Sequence, residues 1–483
     1  MVIEDKESLF RTETDSLGPM KVPKSAYFGV FTVRALDNFQ ISGIHIDKEF
    51  IISLAQVKKA AAITNYELGY LDKTKMEAML SALNEIEEGN LDSNFKLDVF
   101  QAGAGTPYNM NMNEVVANRA NEILGQSIGS YKPIHPNDHV NMSQSSNDTI
   151  PTAIRLTTIK LVKKLSQELL FLQQSLEGKS IEFKDVYKSG RTHTQDAVPI
   201  TLGQEFSAYS ASVNSGRQHL ENTINIMRVL PIGGTAVGTG INTHPEYASK
   251  MVNNLKSTTG LDIVLAENIF QSMQFTADFT NLMNALSNIS SNLIKICNDL
   301  MMFSSGPETG LKEINLPPVE PGSSIMPGKI NPSILECCNM VFMQVIGNRL
   351  VVETASQHGA FELNVYTPLI AYNLFTSLKW MTNAVITLNY KCIQGISVNK
   401  KVTQKYFNDS NALATLLNPI IGYDEATELA KQSKKKNKPI AELVIQERIL
   451  SKEQMEKILK ASIRPNMNVI DEIKKEINKQ NHK

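Results

Sequence analysis

The strongest rhythm in the chain lies in TAIRLTTIKLVKKLSQELLFLQQSLEG, which sets Ile154, Ile159, Leu161, Leu165, Leu169, Leu172 and Leu176 on one broad face. Apolar recurrence at three and four residues is the period of a helix that buries one stripe. A second rhythmic stretch runs from Asp47 to about Glu88, with Ile51, Leu54, Val57, Ala60 and Ala61 in step. From Glu267 to Ser305 there is neither glycine nor proline, so the pattern predicts one unbroken helix of about 60 Å at ~1.5 Å per residue. Residues 333–395 continue in the same manner, and strand patterns are sparse. The expectation is a mainly α fold with long helices in a bundle, because such stripes are buried only against neighbours, within or between chains.

Between these segments the texture changes. Residues 1–45 are mixed, with turn signals at Gly18-Pro19 and Pro23. The segment 98–150 is dense in Asn, Ser, Thr and Gly. Such groups are costly to bury without partners, so the segment is either exposed loop or a polar site. A Ser-Ser-Asn-Asp run ahead of Pro151 and a long helix predicts capping by Asn147 or Asp148. The run GGTAVGTG at 233–240 departs from G-x-G-x-x-G and follows no strand pattern, which excludes a dinucleotide loop. After Val398 come short amphipathic patterns and a basic run, KQSKKKNK at 431–438, which reads as solvated surface.

Composition narrows the class. The 483 residues are 42% apolar and 20% charged, with a formal net charge of −1. That balance is ordinary for a soluble protein and offers no attraction to nucleic acid or an anionic membrane. Cys297, Cys337, Cys338 and Cys392 form no C-x-x-C pair, and read as small apolar residues in a reducing compartment. The N-terminus lacks a basic start followed by an apolar run, and no apolar stretch approaches the ~20 residues of a membrane span. A cytoplasmic protein is expected.

Four polar clusters punctuate the helical pattern: GAGT at 103–106, SQSSND at 143–148, GRTHTQD at 190–196 and GSSIMPGKINP at 322–332. Each alone has a bland reading as a cap or a turn. Together they supply hydroxyls (Thr106, Ser145, Ser146, Thr192, Ser323, Ser324), amides (Asn147, Asn331), a cation (Lys329) and an imidazole (His193). A small dicarboxylate needs this set: neutral donors for orientation, a fixed positive charge and a group that titrates near neutrality. With no metal cage, P-loop or nucleophile elbow, the chemistry suggested is proton abstraction beside a carboxylate.

GSSIMPGKINP resembles the signature loop of the fumarase/aspartase superfamily, lyases that eliminate water or an amine to leave fumarate. QAGAGTPYNMNMNEVVANRA, HPNDHVNMSQSSNDTIPTA, SGRTHTQDAVPITLGQE, GGTAVGTGINTHPEY and GAFELNV follow in the family's order, over roughly residues 10–470. The resemblance implies three domains, at 1–142, 143–396 and 397–483. Their central long helices would associate as the twenty-helix core of a homotetramer, and each active site would gather loops from three subunits.

It also implies roles. Ser323 would be the base, acting as an alkoxide beside Lys329, and His193 would pair with Glu336 to move a proton to or from the leaving group. Substrate contacts would come from Ala104, Gly105, Thr106, Ser145, Ser146, Asn147, Thr192, Ser324, Lys329, Ile330 and Asn331. A second anion site would lie at His135, Pro136, Asn137 and Asp138, near Lys132. The implied substrate is a small dicarboxylate, with no metal, no cofactor, no nucleic acid and no membrane.

Within the family the residues point two ways. Ser146, where aspartases usually carry threonine, together with NMNMNEV, HPND, GRTH and GGTAVGTGINTHPEY, resembles the fumarase branch. Ala104, where fumarases place a substrate-contacting serine, resembles the aspartase branch, as do AYFGVFTVRALDNF and KCIQGISVN. NVYTP fits neither. Water is taken as the leaving group, with an amine as the alternative. Intact Ser323, Lys329, Asn331 and His193 argue against a non-catalytic structural member of the family.

Overall fold

The structure is a computed structural model that describes residues 9–410 and 412–481. It opens with β1 (Phe10–Asp15), β2 (Gly18–Pro23), α1 (Val30–Asn38), α2 (Lys48–Glu67), α3 (Lys73–Glu88), α4 (Thr106–Ile123) and α5 (Ser146–Glu182). There follow β3 (Tyr187–Thr192), β4 (Gln195–Thr201), α6 (Leu202–Met227), β5 (Val229–Leu230), α7 (Tyr247–Thr259), β6 (Val264–Leu265), α8 (Ile269–Gln274) and α9 (Ala277–Phe303). Next come β7 (Ile314–Asn315), α10 (Ser333–Gln357), α11 (Thr367–Lys391) and β8 (Ser397–Val398). Short helices close the described chain: α12 (Lys400–Asp409), α13 (Leu413–Ile421), α14 (Tyr423–Lys436), α15 (Ile440–Gln446), α16 (Lys452–Ala461) and α17 (Met467–Asn481). The strands pair two by two, so the fold is mainly α as the periodicity predicts.

The apolar stripes go where their spacing requires. All seven residues named on the face of α5 are buried, as are Ile51, Leu54, Val57, Ala60 and Ala61 on α2. Full burial of one such side chain contributes about 1.5–3 kcal/mol. Asp47 and Asp72 cap α2 and α3, accepting hydrogen bonds from Glu49 N and Lys75 N. They divide what reads in the sequence as one long rhythm.

The stretch from Glu267 to Ser305 is not one helix. α8 ends at Gln274, Phe275 is extended (φ −104°, ψ 128°), and α9 starts afresh at Ala277. The cause lies far along the chain: Thr276 Oγ1 meets Ser356 Oγ at 2.8 Å and accepts from Asn364 Nδ2 at 3.1 Å. These tertiary bonds hold a break where no local residue demands one.

Two compact units are present. One comprises the residues up to Gln167 with Gly216–Ser291 and Val341–Thr382; the other comprises Glu168–Ser215, Asn292–Met340 and the residues from Asn383 on. In the first, Arg155 of α5 is buried, pairs with Asp278 of α9 at 2.8 Å and lies over the Phe279 ring, while Asn348 of α10 donates to Ser377 of α11. In the second, Tyr209 of α6 donates to Asp299 of α9 at 2.7 Å, and Asn339 of α10 donates to Asn298 of α9. The short C-terminal helices enclose an apolar cluster of their own that includes Phe407, Leu417, Leu443, Val444, Ile458 and Ile473. Cys297, Cys338 and Cys392 are buried free thiols, and burial pushes Cys338 and Cys392 up to about 12.

α10 is apolar on two faces. Leu335, Cys338, Phe342, Val345 and Val352 are buried, whereas Met340, Met343, Leu350 and Val351 form an exposed stripe. By length and composition alone this helix could cross a membrane. On its buried side Asn339 and Asn348 bond to neighbouring helices.

Candidate active site

In the first unit, α4 starts at Thr106 after a turn in which Ala104 (φ 59°) and Gly105 (φ 71°) are both left-handed. Ala104 is buried, and its N–H donates to Val365 O at 2.8 Å. The polar segment that follows is interior rather than loop. Asn109, Asn113, Asn118 and Asn121 are buried along α4, and each finds partners. Asn109 and Asn113 sit one turn apart, and both donate to Asn141 Oδ1, at 3.0 and 3.2 Å. Asn109 also donates to Ser146 Oγ at 3.1 Å. The repeated asparagines of NMNMN thus brace the loop that carries Ser145 and Ser146.

That loop is capped differently from the expectation. Ser145, not Asn147 or Asp148, caps α5: its Oγ accepts from Asn147 N at 3.2 Å while Asp148 Oδ1 accepts from Ser145 N at 2.9 Å. Asp148 is turned inward because its second oxygen receives Gly233 N at 3.1 Å and Thr235 N at 3.0 Å. Asn147 Nδ2 donates to Ala236 O at 2.8 Å, so the glycine-rich 233–240 run buttresses the Ser145–Asn147 loop. Burial raises Asp148 to about 6 against these hydrogen bonds.

Lys58 on α2, beneath this loop, is a buried charge that the sequence pattern did not single out. It is fully buried, and its ammonium donates to Asn141 Oδ1 at 3.1 Å and Gln144 Oε1 at 2.9 Å. Burial lowers its pKa to about 7, with Asp148 acting in the opposite sense. A signal was present: Lys58 falls between Leu54 and Ala61 on the apolar face of α2, where a charge needs a reason.

Thr106 also lines a cavity of about 680 Å³ together with His135, Pro136, Asn137 and Arg34. His135 Nδ1 accepts from the N–H groups of Asn137 and Asp138, both at 3.3 Å, which assigns the ring proton of the neutral form to Nε2. Asp138 and Lys132 are exposed.

In the second unit, β3 and β4 form a hairpin in which Thr192 faces Gln195, leaving His193 and Thr194 as a two-residue loop. Both are left-handed, at φ 54° and 59°. For residues other than glycine this conformation costs of order 1–3 kcal/mol each. The signature loop closes on itself: Gly322 N donates to Lys329 O, and Asn331 Nδ2 donates to Gly322 O, both at 2.7 Å. Any Cβ at Gly322 would lie 2.7 Å from Asn331 N, so only glycine fits there. Ser323 Oγ accepts from Ile325 N at 3.2 Å and Met326 N at 3.0 Å, two backbone donors converging on one hydroxyl.

Ser324, Lys329 and Ile330 are exposed, and Glu336 stands exposed on the first turn of α10. The structure therefore joins Ala104–Thr106 and Ser145–Asn147 through the α4 start and Asn109. Among the described residues no hydrogen bond or ion pair joins His193 to Glu336 within the chain.

Comparison with known proteins follows the same residues. The family pattern described as Lyase matches residues 18–347, and that described as Fumarase C C-terminus matches 413–462. An aspartate ammonia-lyase from Bacillus sp is 43% identical over 449 residues, 93% of this chain and 96% of its own. A class II fumarate hydratase from Brucella suis is also 43% identical, over 93% of this chain and 98% of its own. A crystal structure of the fumarate lyase:delta crystallin type from Brucella melitensis superposes with a TM-score of 0.91 at 42% identity, covering 94% of this chain and all of that one. A class II fumarase from Schistosoma mansoni gives 0.89 at 36% identity, covering 93% and 98%.

Proposed function

We infer that this chain, which belongs to the fumarase/aspartase superfamily of lyases, works as a fumarate hydratase interconverting L-malate and fumarate. The observation that carries the chemistry is Ser323, whose oxygen already receives the N–H groups of Ile325 and Met326. A serine is a weak base, and donors aimed at its oxygen stabilise the alkoxide it must become.

The alkoxide takes the C3 proton of malate, and the electron pair left behind moves into the adjacent carboxylate as an aci-carboxylate. Lys329 and Asn331, with Thr192, Ser145 and Ser146, meet that developing charge; one such donor is worth about 2.7–4 kcal/mol. Thr106 and Asn147 orient the substrate. The C2–O bond then breaks, and the departing hydroxyl receives its proton through water from His193, with Glu336 as the partner of that imidazole in the assembly.

The choice of water rests on Ser146, a hydroxyl without a methyl, held by Asn109 at 3.1 Å. A homotetramer with sites shared by three chains fits two observations. The apolar stripe of Met340, Met343, Leu350 and Val351 on α10 is uncovered in one chain, and the signature loop is itself exposed.

A second reading, aspartate ammonia-lyase, is favoured by Ala104, a buried methyl where a hydroxyl would touch substrate. Purified protein given malate and, separately, aspartate distinguishes them by the rise of fumarate absorbance. Growth with malate alone supports hydration, and growth with aspartate alone replaces it by the second reading. Growth with neither ends the assignment.

A further inference from the structure

The hairpin that carries His193 does not stabilise its own shape. Two-residue hairpin loops favour Asn-Gly or Asp-Gly because both positions need φ > 0. Here the pair is His193-Thr194, and a β-branched threonine at φ 59° is a conformational outlier. Within the loop, only the bond from Thr194 Oγ1 to His193 O at 2.6 Å compensates.

The restraint comes from the strand below. Residues three apart on a strand normally point to opposite faces. The pairing shifts register between Ser189 and Arg191, with the extra residue on β4, where Ala197 and Val198 together face Gly190; across this irregular stretch Lys188 and Arg191 both reach the same carboxylate. Gly190 faces the bulge, and a Cβ there would lie 2.7 Å from Val198 O. Arg191 Nη2 donates to Glu313 Oε1 at 2.9 Å, and Lys188 Nζ stands 3.2 Å from Glu313 Oε2. The same ammonium donates to both oxygens of Glu205, at 3.0 and 3.1 Å, and lies 4.3 Å from the centre of the Phe303 ring. Lys188 and Glu313 are fully buried. Glu313 is tied by its own backbone too, through Phe303 O at 2.8 Å and Asn399 N at 2.9 Å.

We propose that Glu313, bridging Arg191 and Lys188 in a charged quartet with Glu205, is a positioning residue that holds the left-handed turn presenting His193. The proposal rests on the reading of His193 as the proton relay. Two cations and two carboxylates, Lys188 and Glu313 fully buried and Arg191 and Glu205 half-buried, tolerate few geometries, because moving any one leaves an uncompensated charge. A catalytic group displaced by about 1 Å can lose 10²-fold in rate.

The test uses the full-length assembled protein. Glu313→Gln, shown folded by circular dichroism and size exclusion, is expected to lower kcat at least tenfold while KM stays within threefold, and to speed amide exchange in peptides covering 190–196. Adding Thr194→Gly, which removes the strained position, restores part of the lost kcat, whereas Thr194→Gly alone leaves turnover unchanged. If Glu313→Gln does not fold, Arg191→Lys, which keeps the charge and loses the fork, carries the same expectations. Unchanged exchange at 190–196 overturns the proposal. So does unchanged kcat when His193→Asn is inactive. If exchange speeds up but His193→Asn keeps full turnover, the relay reading has failed and the positioning of the turn stands.

Discussion

Lys58→Met probes the buried charge beneath the Ser145–Asn147 loop. In the folded chain burial lowers this ammonium from 10.5 to about 7. Between those values the unfolded chain binds more protons, so this group's contribution to stability rises with pH from about 7 to 10.5. At 1.36 kcal/mol per pH unit the full window is worth roughly 5 kcal/mol. Asp148 acts lower and with the opposite sign. Raised from 3.8 to about 6, it stabilises the fold below the lower value and loses that contribution, roughly 3 kcal/mol, as pH rises through the higher one.

Methionine fills the lysine's channel without an ammonium. Asn141 Oδ1 keeps Asn109 and Asn113 as donors, but Gln144 Oε1 loses its lysine, an orphaned acceptor costing about 1–3 kcal/mol. Urea midpoints of the two proteins, followed by far-ultraviolet circular dichroism at about pH 6.5 and 9, report the difference with other groups largely cancelling. Wild type is expected to gain about 3 kcal/mol relative to the variant between those pH values. A difference that does not change with pH refutes the buried-ammonium reasoning.

Other consequences are equally direct. Ser323→Ala should abolish turnover and leave size-exclusion elution unchanged; near-normal kcat contradicts the base assignment. Glu336→Gln should lower activity and move the pH optimum, and an unchanged profile counts against its pairing with His193. Leu350→Asp places a charge on the exposed stripe of α10 and should shift elution toward the single chain with loss of activity; unaltered elution removes that face from the assembly. Co-assembled His193→Asn and Ser323→Ala chains should recover part of the activity that neither has alone, and silence in verified mixed oligomers speaks against shared sites.

The sequence by itself determined the helical stripes, because a period of 3.6 residues is a local property and Leu161, Leu165, Leu169 and Leu172 display it without reference to anything distant. It also determined which chemical groups are available, and the collinear motifs that assign the family. Tertiary structure decided what those groups meet. The break at Phe275 depends on hydrogen bonds reaching 80 and 88 residues along the chain. Lys58 meets partners 83 and 86 residues away, and Arg191 finds Glu313 across 122. Ser145 became the cap because Asp148 was drawn inward by Gly233 and Thr235. A hydrogen bond or ion pair between residues so far apart leaves no periodic trace in the chain, whereas a buried stripe does. The helices were therefore legible from the residues, and the bracing of the site became visible only once the chain had folded.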